Sequence, residues 1–117
     1  MNNIIFYLAS CDTCRKIIKQ LPNQQRLKFQ DIRQDPITAE QFDELRSMAG
    51  SYEALFSRKA QLYKSMDLKN KVLTEDDLRD LLLQHYTFLS RPVIVVDGNI
   101  YIGNSQKVVQ QAILALQ

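Results

Sequence analysis

The stretch Ile4-Ile5-Phe6-Tyr7-Leu8-Ala9-Ser10-Cys11-Asp12-Thr13-Cys14-Arg15-Lys16-Ile17-Ile18-Lys19-Gln20-Leu21 decides how this chain is read. Residues 4–8 are a continuous apolar run rich in isoleucine and aromatics, the pattern of a buried strand. Behind them the pattern turns helical, with Asp12 or Ser10 expected as cap and Pro22-Asn23 as the stop. Cys11 and Cys14, the only two cysteines of the chain, sit at the junction. A strand that runs into Cys-x-x-Cys and then a helix is the layout of a redox-active dithiol. The first amides of a helix lack intrahelical partners and its dipole favours negative charge, so a thiolate is stabilised there.

Outward from this junction, Arg26 to Ile32 alternates polar and apolar. It reads as a second strand with Leu27, Phe29 and Asp31 on one face. Strand, helix, strand makes a right-handed crossover and a parallel pair. Thr38-Ala39-Glu40-Gln41 fits a capping box, Phe42, Leu45, Met48 and Ala49 form the buried stripe behind it, and Gly50 is the expected stop. Shorter helical segments follow around Tyr52 to Phe56 and Ala60 to Met66, with Ser51 as a cap for the former. A further helix starts at Thr74 and carries Leu78, Leu81, Leu82 and Tyr86. Pro92 to Val96 returns to strand, Asp97-Gly98-Asn99 is a hairpin turn, and Ile100-Tyr101-Ile102 pairs back. A last helix holds Val108, Val109, Ala112, Ile113 and Leu116. The order implies an α/β, thioredoxin-like plan: a four-stranded mixed sheet with the first strand central or nearly so. A helical insertion over about residues 36–87 separates the second and third strands.

The 117 residues suit one domain, expected to span 1–117 as a monomer. No run approaches the ~20 apolar residues of a membrane span. The residues before Ile4 carry no basic region of a signal peptide, so a cytoplasmic setting is expected. There a cysteine pair is catalytic, redox-sensing or metal-binding rather than a static staple. The net charge of +2 is too small to indicate nucleic acid, and the local basic clusters read as solvated helix faces.

On the residues alone, Cys11 is the nucleophile and Cys14, one turn in, reaches a mixed disulfide formed there. Two other readings stay open. One is a zinc site, for which His85 and carboxylates are the remaining ligands and no second Cys-x-x-Cys exists. The other is a pair of inert buried thiols. Asp12 opposes a thiolate at Cys11, while Arg15 and Lys16 favour it. His85 reads as a packed or half-exposed structural histidine beside Leu82 and Tyr86, and Tyr7 and Tyr101 as core.

The run Phe6 to Lys16 resembles the strand, active-site cysteine and basic helix of the family that groups ArsC-type arsenate reductases with the Spx regulators. Cys-x-x-Cys-Arg-Lys is most similar to the Spx branch. Leu55-Phe56-Ser57-Arg58-Lys59 resembles the segment holding a family arginine. Phe88-Leu89-Ser90-Arg91-Pro92-Val93 resembles the family's strand start with a cis proline, and Ile102-Gly103 its last strand–glycine step. Residues 103–106, where ArsC-type enzymes carry a third arginine, hold none, and only Lys107 is near.

The resemblance implies a thiol-dependent oxidoreductase similar to arsenate reductase. Cys11 attacks an oxidised substrate, Cys14 resolves or switches, and Arg91, Arg58 and Pro92 line the substrate site. No bound cofactor is implied. Glutathione, glutaredoxin or thioredoxin is the expected reductant. The alternative is an Spx-like bacterial regulator that binds RNA polymerase through a Cys11–Cys14 disulfide switch.

Overall fold

Strands β1 (Ile4–Tyr7) and β3 (Val93–Val96) are the two apolar runs of the sequence, and they lie side by side in the middle of a four-stranded sheet. The computed structural model describes all of residues 1–117. The chain forms two compact units, Met1–Pro36 with Arg91–Gln117, and Ile37–Ser90.

The first unit carries the sheet, in the order β2-β1-β3-β4. Strand β2 (Lys28–Asp31) runs parallel to β1, with Ile5 opposite Phe29. Strand β3 is antiparallel to β1, with Phe6 opposite Val93, and β4 (Asn99–Ile102) closes the antiparallel half. Interior strands are covered on both faces, so their sequences need no alternation. Phe6, Val93 and Val95 are buried on one face, Ile5, Ile94 and Val96 on the other. The second face packs with Leu21, at the end of helix α1 (Asp12–Gln20), and with Ala112 and Leu116 of helix α5 (Gln106–Leu116).

The β3–β4 turn takes Asp97 at φ 50° and Gly98 at φ 81°, the left-handed pair that a tight hairpin requires. Asp97 is tied down as well, since its amide donates to Asn3 Oδ1 at 2.9 Å and its carboxylate meets Arg26 at 2.9 Å. The last carbonyls of α5 are satisfied by Asn23 Nδ2 on Leu116 O at 2.7 Å and by Arg26 on Ala115 O at 3.3 Å.

One edge strand departs from its sequence pattern. Leu27 and Phe29 share a face as expected, but Phe29 stays 37% exposed and meets Tyr7 edge-on. The residue that β2 buries is Gln30, whose amide donates to Asp35 O at 2.9 Å. An edge strand is covered unevenly, and Gln30 is accepted inside because its amide has a partner there.

The second unit holds helices α2 (Ala39–Ala49), α3 (Gln61–Ser65) and α4 (Glu75–Gln84), all between β2 and β3 in sequence. Capping boxes at Thr38–Gln41 and Thr74–Asp77 start α2 and α4, and Gly50 ends α2 at φ 95°. Ser51 Oγ accepts from the Ala54 amide at 3.1 Å, but the N-cap of the Glu53–Leu55 turn is Tyr52, one residue later than expected. Asp43 on α2 receives a forked bond from Arg79 on α4, at 2.9 and 3.3 Å, and the Tyr52 hydroxyl. The Glu75 carboxylate accepts from the amides of Tyr52 and Glu53. His85 is exposed and ends α4 instead of extending its apolar face, because the chain turns extended there and Tyr86–Phe88 forms a separate 3-10 turn.

Phe6 is fully buried at the centre of the sheet. Phe6→Ala is expected to cost about 3–5 kcal/mol of stability, visible as a lower urea midpoint. An unchanged midpoint would contradict the interior assignment of β1.

Candidate active site

Pairing direction brings the site together. Because β3 runs antiparallel to β1, the end of β1 lies beside the beginning of β3. The residues that follow β1 therefore meet those that precede β3, and Cys11 and Arg91 come to one end of the sheet. Arg91–Pro92 is a cis peptide, as the family resemblance implied, and the Pro92 carbonyl accepts from Gly103 N at 2.9 Å.

Cys11 is the N-cap of α1, extended at φ −90° and ψ 118°, and is partly exposed. Neither Asp12 nor Ser10 caps the helix, contrary to the sequence expectation. Cys11 already holds the cap position, its carbonyl accepting from Arg15 N at 3.1 Å, and Asp12 begins the helix and pairs with Arg15. Cys14 lies one turn in and is buried at 0% exposure. Both are free thiols.

Their environments separate the two sulfurs. Partial burial pushes the Cys11 thiol up, but it is outweighed by the Cys14 amide, the Cys14 thiol, the Thr13 amide and the charge of Arg91, so its pKa falls below the ordinary thiol value. Burial pushes Cys14 up to about 11, with the Leu8 amide and Arg91 opposing and the Cys11 sulfur adding to the rise. One thiol is thus poised to ionise and the other is held protonated, able to donate to it.

Cys11, Cys14, Arg91 and Pro92 all belong to the first unit. Arg58 belongs to the second unit, where its guanidinium lies 6.0 Å from the Phe56 ring centroid and 3.5 Å from Glu53. No three or more His, Cys, Asp or Glu side chains converge as metal ligands would. Sequence reading missed the reach of Arg15, which bonds the Ala9 carbonyl at 2.8 Å as well as Asp12. The three-residue spacing of Asp12 and Arg15 on a helix was the available signal.

A four-stranded mixed sheet in this order, with a helix leading out of its first strand, defines a thioredoxin-like fold. Residues 6–112 match the ArsC family, and the chain belongs to it. An arsenate reductase of Acidiphilium multivorum is 26% identical over 98 residues, covering 81% of this chain and 70% of the relative. An uncharacterized protein of Haemophilus influenzae is 25% identical over 111 residues, 92% of this chain and 96% of the relative. Among solved structures, an arsenate reductase from Vibrio cholerae superposes with a TM-score of 0.78 at 22% identity, covering 99% and 98% of the two chains. The fold is therefore that of the arsenate reductase-like proteins.

Alkylation of the reduced protein checks the split between the sulfurs. Cys11 is expected to react with a midpoint below an ordinary thiol's ~8.5, and Cys14 to stay unmodified at neutral pH. Arg91→Gln should raise the Cys11 midpoint, since it removes a stabilising cation. Equal reactivity of the two thiols would contradict the assignment.

Proposed function

We propose that the protein is a thiol-dependent oxidoreductase of the arsenate reductase type, working with Cys11 as nucleophile and Cys14 as its resolving partner. The observation that carries this reading is the opposed placement of the two thiols, Cys11 partly exposed at the N-cap of α1 with its pKa lowered, Cys14 buried one turn in with its pKa raised. The names of the relatives support it independently.

With a disulfide substrate, the Cys11 thiolate attacks one sulfur and expels the other as a thiolate. Cys14 then gives up its proton to that leaving group or to water and attacks the Cys11 sulfur. The second substrate thiolate leaves, and a Cys11–Cys14 disulfide remains. Substrate gains two electrons and the pair loses two, which glutathione, glutaredoxin or thioredoxin restores. Arg91 steadies the thiolate and any oxyanion presented to it by a charge-assisted hydrogen bond. Pro92 shapes the same wall, and Arg58 is assigned to substrate binding on the resemblance alone. Arsenate is one substrate to test and a disulfide the other, because residues 103–106 contain no arginine. The setting proposed is the bacterial cytoplasm, with the chain as a monomer.

The second cysteine one turn after Cys11, followed by Arg15-Lys16, also favours a second reading, an Spx-like regulator. There the same pair closes reversibly and the oxidised form binds RNA polymerase.

Turnover distinguishes the two. Purified protein is assayed with arsenate and with a small-molecule disulfide, in the presence of glutathione and glutaredoxin. Turnover of either that drops by at least ~100-fold in Cys11→Ser supports the oxidoreductase. No turnover of both, with reversible disulfide formation and redox-dependent binding to RNA polymerase, supports the regulator instead.

A further inference from the structure

Arg15 makes two contacts that the redox chemistry leaves unused. One arm of its guanidinium donates to the Ala9 carbonyl at 2.8 Å, and the other pairs with the Asp12 carboxylate. Ala9 lies in the loop between β1 and α1, two residues before Cys11, and Asp12 is the residue directly after it. The same loop is held by the Cys11 amide on Leu8 O at 3.0 Å. One side chain therefore spans the nucleophile from both sides in sequence.

Asp12 is a liability at this place. A carboxylate at the first turn of a helix stabilises the helix, yet beside a cysteine it opposes the thiolate. We propose that Arg15 is a positioning residue for Cys11, its forked guanidinium neutralising Asp12 and holding the Ala9 carbonyl so that the thiolate forms against no net adjacent charge. The inference rests on the reading of Cys11 as nucleophile. The planar fork matters, because a lysine presents one point charge and cannot serve a carbonyl and a carboxylate in fixed geometry. Both partners are largely solvent-exposed, at 52% and 79% of their side chains, so the effect is small and sensitive to salt. Among the other groups that bear on Cys11, Arg91 before β3 acts through its charge and Cys14 on the same helix through hydrogen bonds, and both stay unaltered in the test.

The test uses the full reduced chain and four variants: Arg15→Gln, Asp12→Asn, the two combined, and Arg15→Lys. Iodoacetamide modification of Cys11, resolved by mass spectrometry, gives a midpoint pH for each. A lone unscreened charge about 6 Å away in a water-like dielectric moves a pKa by about half a unit. Arg15→Gln is expected to raise the midpoint by about that amount, and 1 M KCl to shrink the rise. Adding Asp12→Asn should bring the midpoint back to near the wild-type value, because the carboxylate needing neutralisation has gone. Asp12→Asn alone should lower the midpoint by a few tenths of a unit, on the order set by the same Coulomb argument. Arg15→Lys should fall between wild type and Arg15→Gln.

A purely structural Arg15 would leave the double variant as altered as Arg15→Gln, and that result overturns the proposal. So does an unchanged midpoint in Arg15→Gln. If Arg15→Gln loses the native circular dichroism spectrum, the decision passes to Asp12→Asn, where a midpoint that does not fall overturns it. Alkylation needs no turnover. Full turnover in Cys11→Ser would therefore sink the nucleophile reading while the alkylation series still judged Arg15.

Discussion

The antiparallel pairing of β1 with β3 is the constraint on which the site depends. Phe6 sits opposite Val93, so the chain leaves β1 where it enters β3. Neither strand is free to shift, because each is apolar on both faces and a slip of one residue would disturb every buried position in the pair. The ordinary hydrophobic demand of two interior strands thereby fixes where Cys11 emerges and which residues face it. Arg91 owes its influence on Cys11 to this pairing rather than to nearness in sequence, the two being far apart along the chain.

The second constraint is the helix start. With Cys11 at the N-cap, the amides of Thr13 and Cys14 help to lower its pKa, and Cys14 falls inside the protein one turn later. A single spacing thus yields two thiols of opposite character. The same spacing leaves Asp12 between them, and its charge has to be met locally. Arg15, three residues after Asp12, brings its guanidinium to both the Asp12 carboxylate and the Ala9 carbonyl from the exposed side of α1, away from the buried Cys14 and Ile17.

In the second unit, the polar contacts are organised around helix ends and one shared carboxylate. Asp43 accepts from Arg79 and Tyr52, and these hydrogen bonds hold its carboxyl below the usual carboxylate range, while burial and the bond to Asp43 push the Tyr52 hydroxyl up. The Glu75 carboxylate meets backbone amides at the turn before Glu53–Leu55. The strand-like bridge between Phe56 and Leu89, with Phe56 stacked on Phe88 at 5.1 Å, closes the unit near its C-terminal end. Arg58 belongs to this aromatic cluster through Phe56, which gives it a structural setting whatever its part in binding.

Local patterns were legible wherever one short segment carried the whole physical cause. The apolar runs of β1 and β3, the Asp97-Gly98 turn and the Thr38 and Thr74 capping boxes could be read directly, since burial on both faces, positive φ and cap hydrogen bonds each leave a mark within a few residues. The Cys-x-x-Cys at a strand–helix junction belongs with them. What tertiary structure alone decided is everything that depends on partners distant in sequence. Gln30 became the buried residue of β2 because an edge strand is covered unevenly and Asp35 offered its amide an acceptor. Asp43, Tyr52 and Arg79 met because helices packed. The lowering of Cys11 was likewise undecidable from Asp12, Arg15 and Lys16 as letters, because its sign depends on which donors and charges the fold aims at the sulfur, and those distances exist only once β1 and β3 are paired.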